Sequence, residues 1–118
     1  MTNVPIEAPI DVPGTDNRAI RLCLTLLCPP AFEERLLDGL LMMPQVAVFT
    51  SIAASAHGLQ HHRLSANEQV LGLALMTQVQ ALVSEQDCAT VLSTLKQQLR
   101  GSGLQYWLTP VLEAGEFA

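Results

Sequence analysis

The apolar residues of this chain change period along its length, and the order of those changes limits the fold more than any single motif. In "AIRLCLTLLC", Ile20, Leu22, Leu24 and Leu26 alternate with Arg21, Cys23 and Thr25, the period of two of a strand with one core face. Pro29 and Pro30 follow. Proline suits a first helical turn, because its missing N–H would be unpaired there. Phe32, Leu36, Leu37, Leu40 and Leu41 then take helical spacing, with Gly39 as a weak point and Pro44 as the stop. Glu33 and Glu34 read as a favourable first-turn charge pair rather than as general acids. "VAVFTSIAAS" is rich in β-branched and small residues and reads as a second strand.

A polar loop, "ASAHGLQHHRLSANEQV", separates this strand from "VLGLALMTQVQALV". In the latter, Leu71, Leu73, Leu75, Thr77, Val79, Ala81 and Val83 share one face under alternation. A helix drawn through Leu71, Leu75 and Leu82 would put Gln78 in its stripe, and Gly72 counts against it. The alternation predicts a strand of about 46 Å at ~3.3 Å per residue, so a bulge or a projecting end is expected, with the polar loop as the tip of a long hairpin. "SEQDCATVLSTLKQQLRGSG" is the clearest helix. Ser84 and Asp87 resemble a capping box, Cys88, Val91, Leu92, Leu95 and Leu99 form one apolar stripe, and Gly101 supplies a left-handed cap. "LQYWLTPVL" alternates again and reads as a last strand, with Pro110 suited to an edge or an end.

The order βαββαβ implies a ferredoxin-like α+β sandwich: four antiparallel strands with two helices on one face. Cys23, Phe49, Ala53, Met76, Leu82 and Trp107, mixed with Thr25, Ser51, Gln78, Gln80 and Gln105, are then candidates for the other face. Such a face is too apolar to be simply wet and too polar for a monomer's core. Composition points the same way. At 118 residues the chain is one domain by size, with 49% apolar but only 14% charged residues, against the usual ~25% charged. A closed oligomer that packs these faces inward satisfies both observations.

Net charge is −5, with Lys96 as the single lysine and the arginines scattered. Nucleic-acid binding needs a basic patch, and none is visible. Three cysteines with no paired spacing argue against a disulfide framework and favour a reducing cytoplasm. No signal peptide is apparent, and no apolar run is long enough for membrane insertion. Residues 1–18, with Pro5, Pro9, Pro13 and Gly14, read as a disordered or loosely attached tail, residues 19–113 as the folded domain, and 114–118 as a C-terminal tail.

This element order, with the "HG…E-x-V-x-G" pattern at His57, Gly58, Glu68, Val70 and Gly72, resembles the PII-like superfamily over about residues 19–113. The likeness is greatest to its small proteobacterial members, some encoded near heavy-metal efflux systems. The resemblance implies a homotrimer with its sheets lining the centre. It also implies a non-enzymatic regulatory role in which the hairpin tip, matching the T-loop, contacts an effector protein under small-ligand control. The nitrogen-signalling PII proteins cradle ATP phosphates with a glycine-rich loop and a lysine. The stretch taken as equivalent, "MTQVQALVSEQDCATV", holds no glycine and no basic residue, so ATP binding in that manner is not expected. The T-loop tyrosine used for covalent modification is absent too, since Tyr106 is the only tyrosine.

The chain's three histidines, His57, His61 and His62, all fall in the polar loop. As neutral imidazoles they are candidate ligands for Zn²⁺, Cu²⁺ or Ni²⁺, with Glu68 able to add a carboxylate. That would make a metal-binding protein linked to heavy-metal or divalent-cation handling. The plainer alternative is a solvated loop whose histidines bind nothing. Cys23 and Cys28, five apart on a strand and its exit, are expected to point to opposite faces. Cys88 reads as core.

Overall fold

Strand β1 (Ile20–Cys28) lies inside a four-stranded sheet. A 3₁₀ turn at Pro30–Phe32 leads into helix α1 (Glu33–Leu41), with the two prolines at its entrance as expected. Strand β2 (Val48–Ala56), a short helix α2 (Ala66–Leu71), strand β3 (Ala74–Ser84), helix α3 (Glu85–Gln98) and strand β4 (Gln105–Pro110) complete the order. The computed structural model describes residues 19–58 and 65–118. The N-terminal tail of residues 1–18 and the loop tip at 59–64, with His61, His62 and Arg63, lie outside the described residues.

The sheet order is β2-β3-β1-β4, and every pair is antiparallel. The chain is therefore an α+β ferredoxin-like sandwich. Cross-strand partners share a face, so the register sorts the side chains. Leu24 stands opposite Ala81 and Leu108, and Leu26 opposite Val79 and Tyr106. Leu24, Leu26, Cys28, Val79 and Val83 join Leu36 and Leu40 of α1 and Cys88, Val91, Leu95 and Leu99 around α3 in one buried cluster. At about 25 cal/mol per Å² of apolar surface removed from water, this cluster is the main favourable contribution to folding. Helix α3 is capped as its sequence suggests: the Ser84 hydroxyl accepts the Asp87 N–H at 3.0 Å. It ends at Gln98, and Gly101 follows with φ +78°.

Two expectations change. The strand through 70–83 does not form as one piece. Its first part is α2, ended by Gly72 in the left-handed conformation at φ +71°, and the strand starts at Ala74. The second change is on β2. Phe49 is opposite Ala81, Ser51 opposite Val79 and Ala53 opposite Thr77, which places all three on the helix side, where Phe49 packs against the core. Val48, Thr50 and Ile52 stand instead opposite Leu82, Gln80 and Gln78 on the face without helices.

That uncovered face carries Cys23, Thr25 and Leu27 of β1, Met76, Gln78, Gln80 and Leu82 of β3, and Gln105, Trp107 and Thr109 of β4. With the three β2 residues, these described positions carry no Asp, Glu, Lys or Arg; the exposed Arg21 lies at the end of β1, at the register shift between Ile20 and Leu22. Ile52 is 58% exposed and Trp107 44%, yet Thr25, between Gln80 and Trp107 in the register, is buried. No helix among the described residues is long and apolar enough to cross a membrane.

Candidate functional site

A cavity of about 480 Å³ opens at one end of the uncovered face. Leu27 and Gln105, partners across β1 and β4, and Met76 of β3 bring the sheet face into it. Pro29 and Pro30, just after β1, form one wall. The turn Gly101, Ser102, Gly103 between α3 and β4 forms another, and Glu68 and Leu75 close it from the α2 side. Gly101 and Gly103 both have φ +78°, a conformation that a side chain would strain, so the turn depends on these glycines.

Glu68 is the charged group of the cavity lining, and its position is fixed by hydrogen bonds. Ser65 caps α2: its hydroxyl accepts the Glu68 N–H at 3.2 Å, and Oε1 of Glu68 accepts the Ser65 N–H at 3.0 Å. This is a complete capping box, which satisfies two helix N–H groups that would otherwise lack partners. The second carboxylate oxygen, Oε2, accepts the Leu75 N–H at 3.1 Å. One side chain thus ties the residue that ends the histidine loop to the first turn of β3. The backbone N–H of Ser65, then that of Leu75, holds the Glu68 carboxyl below the ordinary carboxylate range.

Among the described residues the lining contains no lysine or arginine. A carboxylate without a cation beside it is the wrong charge for a polyphosphate, which needs convergent N–H donors and positive charge. Neutral or cationic groups suit the cavity better. Nearby, Cys28 is buried and its Sγ donates to the Pro29 carbonyl at 3.3 Å. Burial, and then the charge of Glu33, pushes its thiol up to about 11, which suppresses thiolate chemistry. Glu33 itself accepts a hydrogen bond of 2.8 Å from the Thr77 hydroxyl, so this first-turn acid also fastens α1 to β3.

His57 is exposed immediately after the end of β2. His61 and His62, the other two candidate ligands, lie outside the described residues. Among the described residues no group of three or more His, Cys, Asp or Glu could hold a metal ion. Cys23 and Cys28 do diverge: the first is half-buried on the uncovered face, the second in the core, and Cys88 is buried.

Sequence reading did not find the cavity. Its glycine turn belongs to the α3–β4 connection and not to the stretch compared with the phosphate loop. The signal for α2 was present as S-x-x-E at Ser65 and Glu68, a capping-box spacing, but the leucine alternation that follows concealed it.

The sandwich, its uncovered sheet face and the cavity at its end define a ferredoxin-like α+β protein. The chain belongs to the family described as "Protein of unknown function (DUF3240)", whose model matches residues 19–118. A crystal structure of a DUF3240 family protein from Shewanella baltica OS155 superposes with a TM-score of 0.70 at 13% identity, covering 85% of this chain and 99% of that one. A Thermus thermophilus protein described as a putative PII-like signaling protein gives 0.56 at 15% identity, covering 79% and 88%. A Bacillus cereus protein related to NIF3 gives 0.59 at 11% identity, covering 83% of this chain but 27% of that one. At these identities the likeness is one of fold. No curated protein matches the chain.

Proposed function

We propose that this chain is a non-enzymatic PII-like regulatory protein of the cytoplasm. It assembles as a homotrimer through its uncovered sheet face and presents the loop after β2 to an effector protein. The observation that carries the reading is the sheet face, whose paired positions from Cys23 to Leu27, Met76 to Leu82 and Gln105 to Thr109 carry no charged side chain. Exposed Val48, Ile52 and Trp107 lie on it, and it runs directly into the cavity. A second copy laid on this face would remove the apolar surface from water and close the cavity. Glu68 lines that cavity and also holds the base of the loop, so a small ligand there would act on the segment that the effector meets. The lining charge supports a neutral or cationic ligand over ATP. Light scattering at micromolar concentration tests the assembly: the expected mass is about 38 kDa, three times the 12.8 kDa chain, and a monomer mass would sink the reading. The alternative, a protein that handles heavy metals or other divalent cations through His57, His61 and His62, rests on the clustering of the chain's histidines in one loop.

A further inference from the structure

Strand β4 ends the sheet, and both of its faces are incompletely covered. Trp107 faces the helix-free side, while Tyr106 and Leu108, opposite Leu26 and Leu24, face the helix side. Even there they remain 42% and 40% exposed. Between α3 and β4 runs a groove of about 340 Å³ with an apolar floor of Leu92, Leu95, Leu99 and Leu104. Lys96 and Arg100 stand on its rim. The Lys96 ammonium sits 5.0 Å from the centre of the Tyr106 ring, so the cation and the aromatic form one wall. Lys96 and Arg100 are two of the four lysines and arginines among the described residues, the others being Arg21 and Arg35.

The C-terminal segment has the opposite character. The Val111 N–H still donates to the Arg21 carbonyl at 2.9 Å, extending the ladder by one bond. Beyond it, Leu112 is 93% exposed and Phe117 fully exposed, with Glu113 and Glu116 between them and no basic residue. A lone exposed leucine needs no explanation, but a bare phenylalanine and leucine in one short irregular segment leave a large apolar area in water. The segment is not folded back onto its own chain. From Leu112 to Phe117 an extended chain spans ~17 Å, enough to run the length of the groove, whose helix side from Leu92 to Gln98 spans ~9 Å. Charge decides between recipients on another copy. The cavity at the sheet end carries a carboxylate and would repel Glu113 and Glu116, whereas the α3–β4 groove carries two cations.

We propose that the C-terminal segment of one copy, Leu112 to Phe117, docks in the α3–β4 groove of a second copy, with Phe117 on the leucine floor and Glu113 and Glu116 at Lys96 and Arg100. The inference rests on the self-association proposed above but uses a different surface. The test places p-benzoylphenylalanine at position 117 of the full chain, irradiates it and maps the link by mass spectrometry, with light scattering on the same sample. The expected result is a cross-linked dimer whose link falls within residues 92–104. The double variant Lys96→Glu with Arg100→Glu should lower the yield several-fold, and adding Glu113→Lys with Glu116→Lys should restore it. All five positions are exposed or at a rim, so folding should persist, and circular dichroism checks this. A trimer mass with links inside one chain, links to the sheet face, or no link overturns the docking and leaves the assembly standing. A monomer mass overturns both.

Discussion

The Glu68 carboxylate accepts the Leu75 N–H at 3.1 Å across the left-handed turn at Gly72. This bond, with the one from Ser65, makes a single side chain the fastening between the histidine loop and β3. An ionised acceptor makes a hydrogen bond roughly twice as strong as a neutral one. Glu68→Gln should therefore leave the sandwich folded but raise amide hydrogen exchange at Ser65 and Leu75 several-fold. The pH dependence has a defined sign. The folded-state value of Glu68 is depressed, so its stabilisation is present above the unfolded carboxyl value of ~4.3 and is lost as pH falls through the lower folded one. Corrected for the intrinsic exchange rate, which itself falls with pH, protection of the Leu75 amide should drop over that acid window in the native chain and stay constant there in the Gln variant. Equal pH profiles in the two proteins would refute the role given to Glu68.

The two faces of β2 predict two different failures. Ile52, opposite Gln78 on the uncovered face, is exposed in the single chain, so Ile52→Lys should preserve secondary structure and reduce the scattering mass to that of a monomer. Phe49, opposite Ala81, packs against the core. Phe49→Lys should cost about 3 kcal/mol or more, the range of large-to-small aromatic losses in cores, and lower the thermal midpoint with or without assembly. A variant of Ile52 that keeps its assembled mass would move the interface elsewhere.

The contrast between these two residues also shows how far the sequence could be read. In β1, Leu22, Leu24 and Leu26 are separated by Cys23 and Thr25, and the stripe of α3 is unambiguous, so the order and type of the four main strands and two main helices followed. In β2, Val48, Phe49, Ile52 and Ala53 put apolar groups on both faces of an edge strand. Alternation then carries no phase, and the register with β3 decides it. The cavity was hidden for another reason. Leu27, Glu68, Gly101 and Gln105 meet only because β1 and β4 are neighbours and α2 folds over their end. No local pattern reports such a meeting.

If a metal ion is a ligand of this protein, the histidine loop should supply its nitrogen donors, because His57, His61 and His62 are the only imidazoles. Titration with Zn²⁺ and Cu²⁺ should show stoichiometric binding that weakens in acid, since the competent ligand is neutral imidazole. It should disappear in a variant with all three histidines changed to alanine. Equal affinity and stoichiometry in the two proteins would remove the loop as the site.

Gly39 lies inside α1, where glycine costs about 1 kcal/mol relative to alanine. A Cβ there would come 2.8 Å from Oε1 of Gln98. That contact is the far end of a flexible, exposed side chain, which can turn away. Gly39→Ala should therefore be neutral to stabilising by up to ~1 kcal/mol, read as a shift of the denaturation midpoint at unchanged slope. A loss of stability would show that the α1–α3 contact at Gln98 is rigid.

The three thiols offer a direct reading of the assembly. Cys28 and Cys88 are buried, and burial raises both thiols above their ordinary value, Cys28 to about 11. Since the thiolate is the nucleophile, neither should react with iodoacetamide while the chain is folded. Cys23 is half-buried on the uncovered face, beside Thr25 at 3.9 Å between Sγ and Oγ1. Its access to reagent depends on whether a second copy lies over that face. In the native protein Cys23 should be protected together with the other two. In the monomeric Ile52→Lys variant it alone should become labelled, and in the native protein its labelling rate should rise only as the protein is diluted through dissociation. If Cys23 reacts equally fast in the native chain and the variant, the sheet face is open to water in both, and the trimer must be sought through another surface.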